Sequence, residues 1–315
     1  MAQVLCIAGP TASGKTALGI ELASALGGEV VSADSMQIYR RMDIGTAKPT
    51  PEEMRGIPHH MIDILEPTEN YSAARYAEDA GKCIDDILSR GKLPILVGGT
   101  GLYIDAAVRG HEFAEQPGDS GLREELEEQY KFLGGSEMLS RLRRVDPERA
   151  EKLHPSDKKR ILRAIEVYIL TGETITSHDE KTKAVPPKYD CAKIILSFEN
   201  RQALYDRIDT RVDLMMERGL ENEVRALLRE GVPASATSMQ AIGYKELAAA
   251  LESGGSIEDA ASEIKQSSRR YAKRQLTWFR RDKDALWLEW QDDTPDISFA
   301  RQHSTEFLRA HGIEW

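Results

Sequence analysis

The sequence predicts an α/β protein: a parallel sheet built on a phosphate-binding loop and flanked by helices, with an all-helical insertion domain. Three observations predict it. Residues 4–8, Val-Leu-Cys-Ile-Ala, form a short apolar run that leads into Gly-Pro-Thr-Ala-Ser-Gly-Lys-Thr at 9–16. Apolar runs then alternate with helix-spaced segments, the pattern of parallel strands joined by crossover helices. Between 112 and 187 the strand-like runs stop and only helical spacing remains.

The first run reads as a buried strand and the segment after residue 16 as a helix, with Leu18, Ile20, Leu22 and Leu26 at helical spacing. Gly-x-x-x-x-Gly-Lys-Thr between a strand and a helix is a P-loop. Gly9 and Gly14 let the backbone curl so that N–H groups point inward around an anion. The helix dipole aims at the same point. Thr11, Ala12 and Ser13 complete the loop, Lys15 adds a mobile charge, and Thr16 offers a hydroxyl to Mg²⁺. The alternative is a glycine-rich turn without a ligand, which the flanking strand and helix disfavour. The chain therefore grips a diphosphate-like group.

A second strand runs over residues 29–34 and ends at Asp34; a third runs over 93–97 and ends in Gly98-Gly99-Thr100-Gly101. Residues 71–88 between them have helical spacing, with Ser72 as N-cap. Gly14, Asp34 and Thr100 all follow strand ends, where ligands of parallel sheets gather. Asp34 could assist a metal, act as a base on an acceptor, or cap a turn. The Gly98–Gly101 turn could equally be a plain strand-to-helix connection. P-loop hydrolases need an acid after an apolar strand, and the third strand offers none.

The insertion carries helical patterns over 122–132, broken by Gly134-Gly135, over 138–145, ended by Asp146-Pro147, and over 157–170, closed by Gly172. Pro186-Pro187 leads back to a strand at 193–198; the remainder reads as helical over 201–218, 220–230, 244–252 and 257–281. The organisation expected is a core of 1–111 with 188–315 and an insertion of 112–187.

Net charge is −10, with a pI near 5.4, which argues against wholesale coating of nucleic acid but not against a local basic groove. Two regions are locally basic: Arg141, Arg143, Arg144, Lys158, Lys159, Arg160 and Arg163, and then Arg269, Arg270, Lys273, Arg274, Arg280 and Arg281. Tyr271 and Trp278 interleave the second, which suits phosphates and stacked bases. The plain alternative is a solvated face beside a core stripe. Arg207 and Arg211, one helical turn apart, are a second phosphate clamp or surface charge. His59-His60 cannot share an ion, because adjacent side chains of an extended segment face opposite ways. Cys6, Cys83 and Cys191 form no Cys-x-x-Cys, which argues against zinc and disulfides and fits a reducing compartment. No apolar run reaches membrane-spanning length, and the first strand starts too early for a signal peptide, so a cytoplasmic enzyme is expected.

Taken together, the motifs resemble the tRNA dimethylallyltransferases, also called tRNA isopentenyltransferases, of bacterial type. The matching stretches are 9–16, 32–39 (Ser-Ala-Asp-Ser-Met-Gln-Ile-Tyr), 43–48 (Asp-Ile-Gly-Thr-Ala-Lys), 97–103, 160–166, Gly243-Tyr244 and 273–278 (Lys-Arg-Gln-Leu-Thr-Trp). Ser156 stands where the family usually shows Asn; either could cap the next helix. The resemblance implies transfer of a dimethylallyl group from its diphosphate to N6 of adenosine 37 beside the anticodon. It implies Mg²⁺ on Thr16, leaving-group stabilisation by Lys15 and Arg211, and Asp34 as the base. Contacts to the anticodon stem-loop map onto Asp34, Ser35, Met36, Gln37, Thr100, Arg123, Lys159, Arg160, Arg163, the 239–244 stretch with Met239, Gly243 and Tyr244, and Lys273, Arg274 and Arg280. A monomer with no membrane contact is expected. The rivals are an adenylate isopentenyltransferase acting on free AMP or ATP, a P-loop small-molecule kinase, and a non-catalytic RNA-binding module.

Overall fold

The computed structural model describes residues 3–110, 120–291 and 293–313. They fall into two compact units, one made of the chain up to Gly110 and from Lys188 onward, the other of the chain between. The change expected at Glu112 lies outside the described residues.

The first unit runs through β1 (Val4–Ala8), α1 (Lys15–Leu26), β2 (Glu29–Ser32), α2 (Pro51–Met54), β3 (His59–His60), α3 (Ala73–Ser89), β4 (Pro94–Gly98) and α4 (Gly101–Arg109). The second unit holds α5 (Ser120–Val145), α6 (Pro147–Glu151), α7 (Lys158–Thr171) and α8 (Ile175–Ala184). The first unit resumes with β5 (Cys191–Phe198), α9 (Arg201–Glu217), α10 (Leu220–Arg229), α11 (Tyr244–Ser253), α12 (Ile257–Phe279), β6 (Leu286–Trp290) and α13 (Ile297–Ala310).

Six parallel strands form one sheet in the order β3-β2-β4-β1-β5-β6. Period-two alternation divides the core. Leu5 and Ile7 of β1 face a cluster with Leu18, Leu22, Ile95, Ile194 and Leu196. Val4, Cys6 and Ala8 face the other side, with Tyr76, Ile84, Leu96 and Ile104. Each fully buried aliphatic side chain stabilises the fold by about 1.5–3 kcal/mol, so the near-continuous apolar strands follow from burial on both faces. The helix after β1 packs on the first face and the helix after β4 on the second. The two loops part there and leave a crevice at the carboxyl ends of adjacent strands.

Ser72 caps α3 by accepting the Arg75 N–H at 3.2 Å. Two strands are not named by the sequence reading, one in the tail it reads as mostly helical and one in the extended segment of His59-His60. β6, Leu-Trp-Leu-Glu-Trp, joins the sheet beside β5, and the two-residue β3 joins beside β2. In the second unit Gly134, at φ 79° and ψ 163°, interrupts α5. That unit packs Leu126, Met138, Leu142, Ile161, Leu162 and Ile165 into its own core. Asp146 does not merely end a helix. Its carboxylate caps α6 through the Arg149 N–H at 3.1 Å and accepts the Thr176 hydroxyl at 2.6 Å. Ser156 does not cap α7; its hydroxyl pairs with His154 Nδ1 at 2.8 Å.

Candidate active site

The P-loop between β1 and α1 has the curled shape that its glycines allow. Gly9 adopts φ 148° and Gly14, at the start of α1, φ 88°. A Cβ on Gly9 would stand 2.5 Å from the Leu196 carbonyl oxygen. Ala12 also takes a left-handed φ, 64°, which costs a non-glycine residue about 1–2 kcal/mol. Such a conformation persists only where the surroundings hold it. Lys15 Nζ donates to the Pro10 carbonyl at 2.7 Å, and Arg207 Nε to the Ala12 carbonyl at 3.2 Å. Trp290 Nε1 donates to the Ser13 carbonyl at 2.9 Å. The Thr11 N–H donates to Gln275 Oε1 at 3.0 Å. With its carbonyls drawn outward, the loop is left to present N–H groups to an anion. Ser13 Oγ, wholly buried within the loop, has no partner among the described residues.

This loop floors a cleft of about 340 Å³. Its walls include Thr11, Lys15, Thr16, Asp34, Ser35, Met36, Gln37, Arg211, Gly243, Tyr271, Arg274 and Gln275. Asp34 is the one carboxylate among the described lining residues. Asp34 Oδ1 accepts the N–H groups of Met36 at 2.9 Å and Gln37 at 3.4 Å. Oδ2 makes no hydrogen bond among the described residues. The turn role and the exposed-base role therefore coexist in one side chain: one oxygen shapes the turn and the other is free. Thr100 Oγ1 accepts the Ser35 N–H at 3.3 Å, holding the turn to the start of α4. Gln37 is committed as well. Its Nε2 donates to the Thr46 and Ala47 carbonyls at 3.3 Å, and its Oε1 accepts the Ser32 hydroxyl at 3.0 Å.

The cleft is electropositive inside an acidic protein. Burial, then the nearby Arg211, pushes the Lys15 ammonium down to about 7, while Asp34 opposes the shift. Lys15 is only half-buried as a residue, but its ammonium lies in the packed part of the loop. Arg211 is lowered by burial, with Asp34 pulling the other way, and makes no hydrogen bond among the described residues. Burial and Asp34 push the Tyr271 hydroxyl up. The two arginines divide the alternatives open at the sequence level. Arg211 faces the cleft with its donors unspent, whereas Arg207 spends its donors on the Ala12 and Asp293 carbonyls.

Several expected contacts lie elsewhere. Tyr244 is a correction: it is 0% exposed and its hydroxyl donates to Glu223, so its side chain cannot reach RNA. Met239 is buried likewise. Its neighbour Gly243 does line the cleft. Lys273, Arg274 and Arg280 stand exposed on or at the end of α12, Arg274 with its guanidinium 5.4 Å from the Tyr271 ring centre. Arg269 is tied to Asp209. In the second unit Lys159 and Arg160 are exposed, whereas Arg123 and Arg163 both reach Glu166, at 3.4 and 2.9 Å. His60 pairs with Glu29 at 2.8 Å. His59 Nδ1 donates to the Ile57 carbonyl at 2.8 Å, and its Nε2 is without a partner among the described residues in the cleft wall. Burial lowers the His59 pKa, so this nitrogen is a bare acceptor at neutral pH.

Trp290 and Glu223 have no counterpart in the sequence reading, and Gln275, part of the 273–278 stretch, is not expected there to touch the P-loop. Glu223 accepts the N–H groups of Asp43, Ile44 and Gly45 at 2.9, 2.9 and 3.2 Å, fixing the loop whose carbonyls hold Gln37. A run of three backbone donors around one distant carboxylate leaves no mark in sequence spacing.

Comparison with known proteins adds independent findings. A family model described as IPP transferase matches residues 37–282. The chain is 48% identical over 308 residues to the tRNA dimethylallyltransferase of Caldanaerobacter subterraneus subsp. tengcongensis, spanning 97% of each. It is 49% identical over 290 residues to that of Bacillus mycoides, 92% of this chain and 90% of the other. The crystal structure of the full-length tRNA isopentenylpyrophosphate transferase of Bacillus halodurans superposes with a TM-score of 0.73 at 40% identity, covering 99% and 98% of the two chains. A eukaryotic dimethylallyltransferase acting on tRNA gives a TM-score of 0.83 at 30% identity, over 99% of this chain and 80% of that one.

Proposed function

The chain belongs to the IPP transferase family, and from that premise we propose that its cleft transfers a dimethylallyl group from dimethylallyl diphosphate to N6 of adenosine 37 in tRNA. The observation that carries this is the cleft's composition: cations and loop N–H groups, one half-free carboxylate and an aliphatic wall line the same cleft. Ile208, Val212, Met215 and Ile264 supply that wall and suit a five-carbon isoprenoid.

The P-loop holds the diphosphate as a leaving group. As N6 attacks the allylic carbon, the carbon–oxygen bond breaks and its electron pair goes to the diphosphate. Lys15, Arg211 and the loop N–H groups stabilise the charge that builds there. The proton leaves N6 for Asp34 Oδ2, the free oxygen. Adenine must leave its stack to enter a cleft of this size. Thr16 sits exposed on the first turn of α1, and its hydroxyl makes no hydrogen bond among the described residues, so it would be available to hold a Mg²⁺ ion. Such an ion would neutralise part of the leaving group's charge.

Ser35, Met36, Gln37, Thr100 and Gly243 shape the acceptor end. Lys273, Arg274 and Arg280 of the first unit take phosphates of the anticodon stem-loop, and exposed Lys159 and Arg160 of the second are further candidates for phosphate contact. We propose that the protein acts as a monomer in the cytoplasm. None of the described helices is long and apolar enough to cross a membrane. Incubation with labelled dimethylallyl diphosphate and Mg²⁺, and either an anticodon stem-loop or AMP, tests the reading. Label should appear in N6-modified adenosine of the RNA. Label in AMP alone would assign the rival adenylate activity, and phosphorylation from ATP without prenylation would assign a kinase.

A further inference from the structure

Three side chains grip the P-loop from outside: Arg207 of α9, Gln275 of α12 and Trp290 of β6. Gln275 differs from the other two because it ties the P-loop to the turn after β4. Its Oε1 accepts the Thr11 N–H at 3.0 Å, and its Nε2 donates to the Gly99 carbonyl at 2.8 Å. One partner can only donate and the other only accept, so the amide orientation is settled by its neighbours. The side chain is 6% exposed and lies between the ends of β1 and β4. The fit is close: a Cβ on Gly99 would come within 2.2 Å of Gln275 Nε2, and one on Gly101 within 2.2 Å of Trp278. On neighbouring positions of the same helix, Lys273 is exposed and Tyr271 and Arg274 line the cleft.

Thr11 immediately precedes Ala12, the residue held at φ 64°. A strained residue relaxes unless its neighbours are pinned. Gln275 pins the Pro10–Thr11 peptide, one residue before Ala12, and Arg207 pins the carbonyl of Ala12 itself.

We infer that Gln275 is a positioning residue that holds the strained Thr11–Ala12 turn in its diphosphate-receiving shape and anchors it to the helix bearing the RNA-facing cations. This rests on the reading that the P-loop takes the donor diphosphate. Q275M keeps the length of the side chain and removes both hydrogen bonds.

The test is calorimetry of inorganic diphosphate with Mg²⁺, with thermal melting to establish the fold. In Q275M the Kd should rise about tenfold, the effect of one unmade hydrogen bond. Donor KM should rise in step while kcat at saturating donor holds, and stem-loop affinity should not change. A residue serving the fold alone would lower the melting temperature and leave KM untouched. Q275N, one methylene too short to span both partners, should shift Kd the same way by less. Adding A12G to Q275M should recover part of the affinity, because glycine takes a positive φ without strain. Equal diphosphate affinity in wild type, Q275M and Q275N would overturn the inference, and so would a loss in Q275M that A12G leaves wholly unrecovered. Wild-type protein that failed to bind diphosphate would instead overturn the diphosphate reading itself.

Discussion

Lys15 should make donor binding depend on pH near neutrality. Its pKa of about 7 has burial as the main cause and Arg211 as the second, with Asp34 opposing. An entering diphosphate is a multiply charged anion and favours the protonated amine, so binding raises the pKa and draws in a proton. At pH 7 the free amine is half ionised, and uptake is about half a proton per diphosphate. As pH rises through the free-enzyme pKa, affinity falls, by about tenfold between about pH 6 and about pH 8. Calorimetry of inorganic diphosphate in two buffers of unlike ionisation heat measures the uptake, and kcat/KM for the donor follows the same curve. K15R keeps the charge without titrating in this range, so its profile should lose the break and report the ligand's own ionisation. No proton uptake by wild type near pH 7, or the same break in K15R, would refute the reasoning.

Other perturbations separate the roles assigned to the cleft and helices. D34N should lower kcat by about 10²–10⁴-fold with stem-loop affinity unchanged; single-turnover kinetics at saturating substrates read it, and full turnover would remove Asp34 as the base. Replacing Lys273 and Arg274 together by alanine should weaken stem-loop binding and flatten its dependence on salt, while diphosphate affinity stays as it was. Y244F should leave stem-loop affinity alone and cost about 1–3 kcal/mol of stability in urea titration, because Glu223 loses a buried donor. A large fall in RNA affinity with normal stability would restore Tyr244 as a contact.

What could be read in advance was whatever depends on backbone need or on local spacing. The P-loop is legible because only glycine suits the close approach at Gly9. Asp34 and Thr100 are legible because parallel strands bring their carboxyl ends together. The grip of Gln275 on the P-loop is not, because its two partners lie 264 and 176 residues away and helical spacing on α12 says nothing of them. Tyr244 shows the limit of motif matching, which places a residue in the chain but says nothing of where its ring points. β6 carried a usable signal, Leu286 and Leu288 alternating with Trp287 and Glu289, but it is short and follows a long helical stretch. The two residues of β3 carry no such signal, since one pair of histidines has no period. Asp146-Pro147 was ambiguous for a physical reason: an acid followed by proline both ends one helix and begins the next.

The outside grips on the phosphate loop have a consequence for how the molecule comes into being. The loop is made among the first sixteen residues, yet the side chains that hold it are Arg207, Gln275 and Trp290. A chain still emerging from the ribosome has the loop's sequence long before it has the loop's working shape. A nascent chain that ends before residue 207 carries none of these three grips, and one that ends before residue 290 lacks the Trp290 grip on the Ser13 carbonyl.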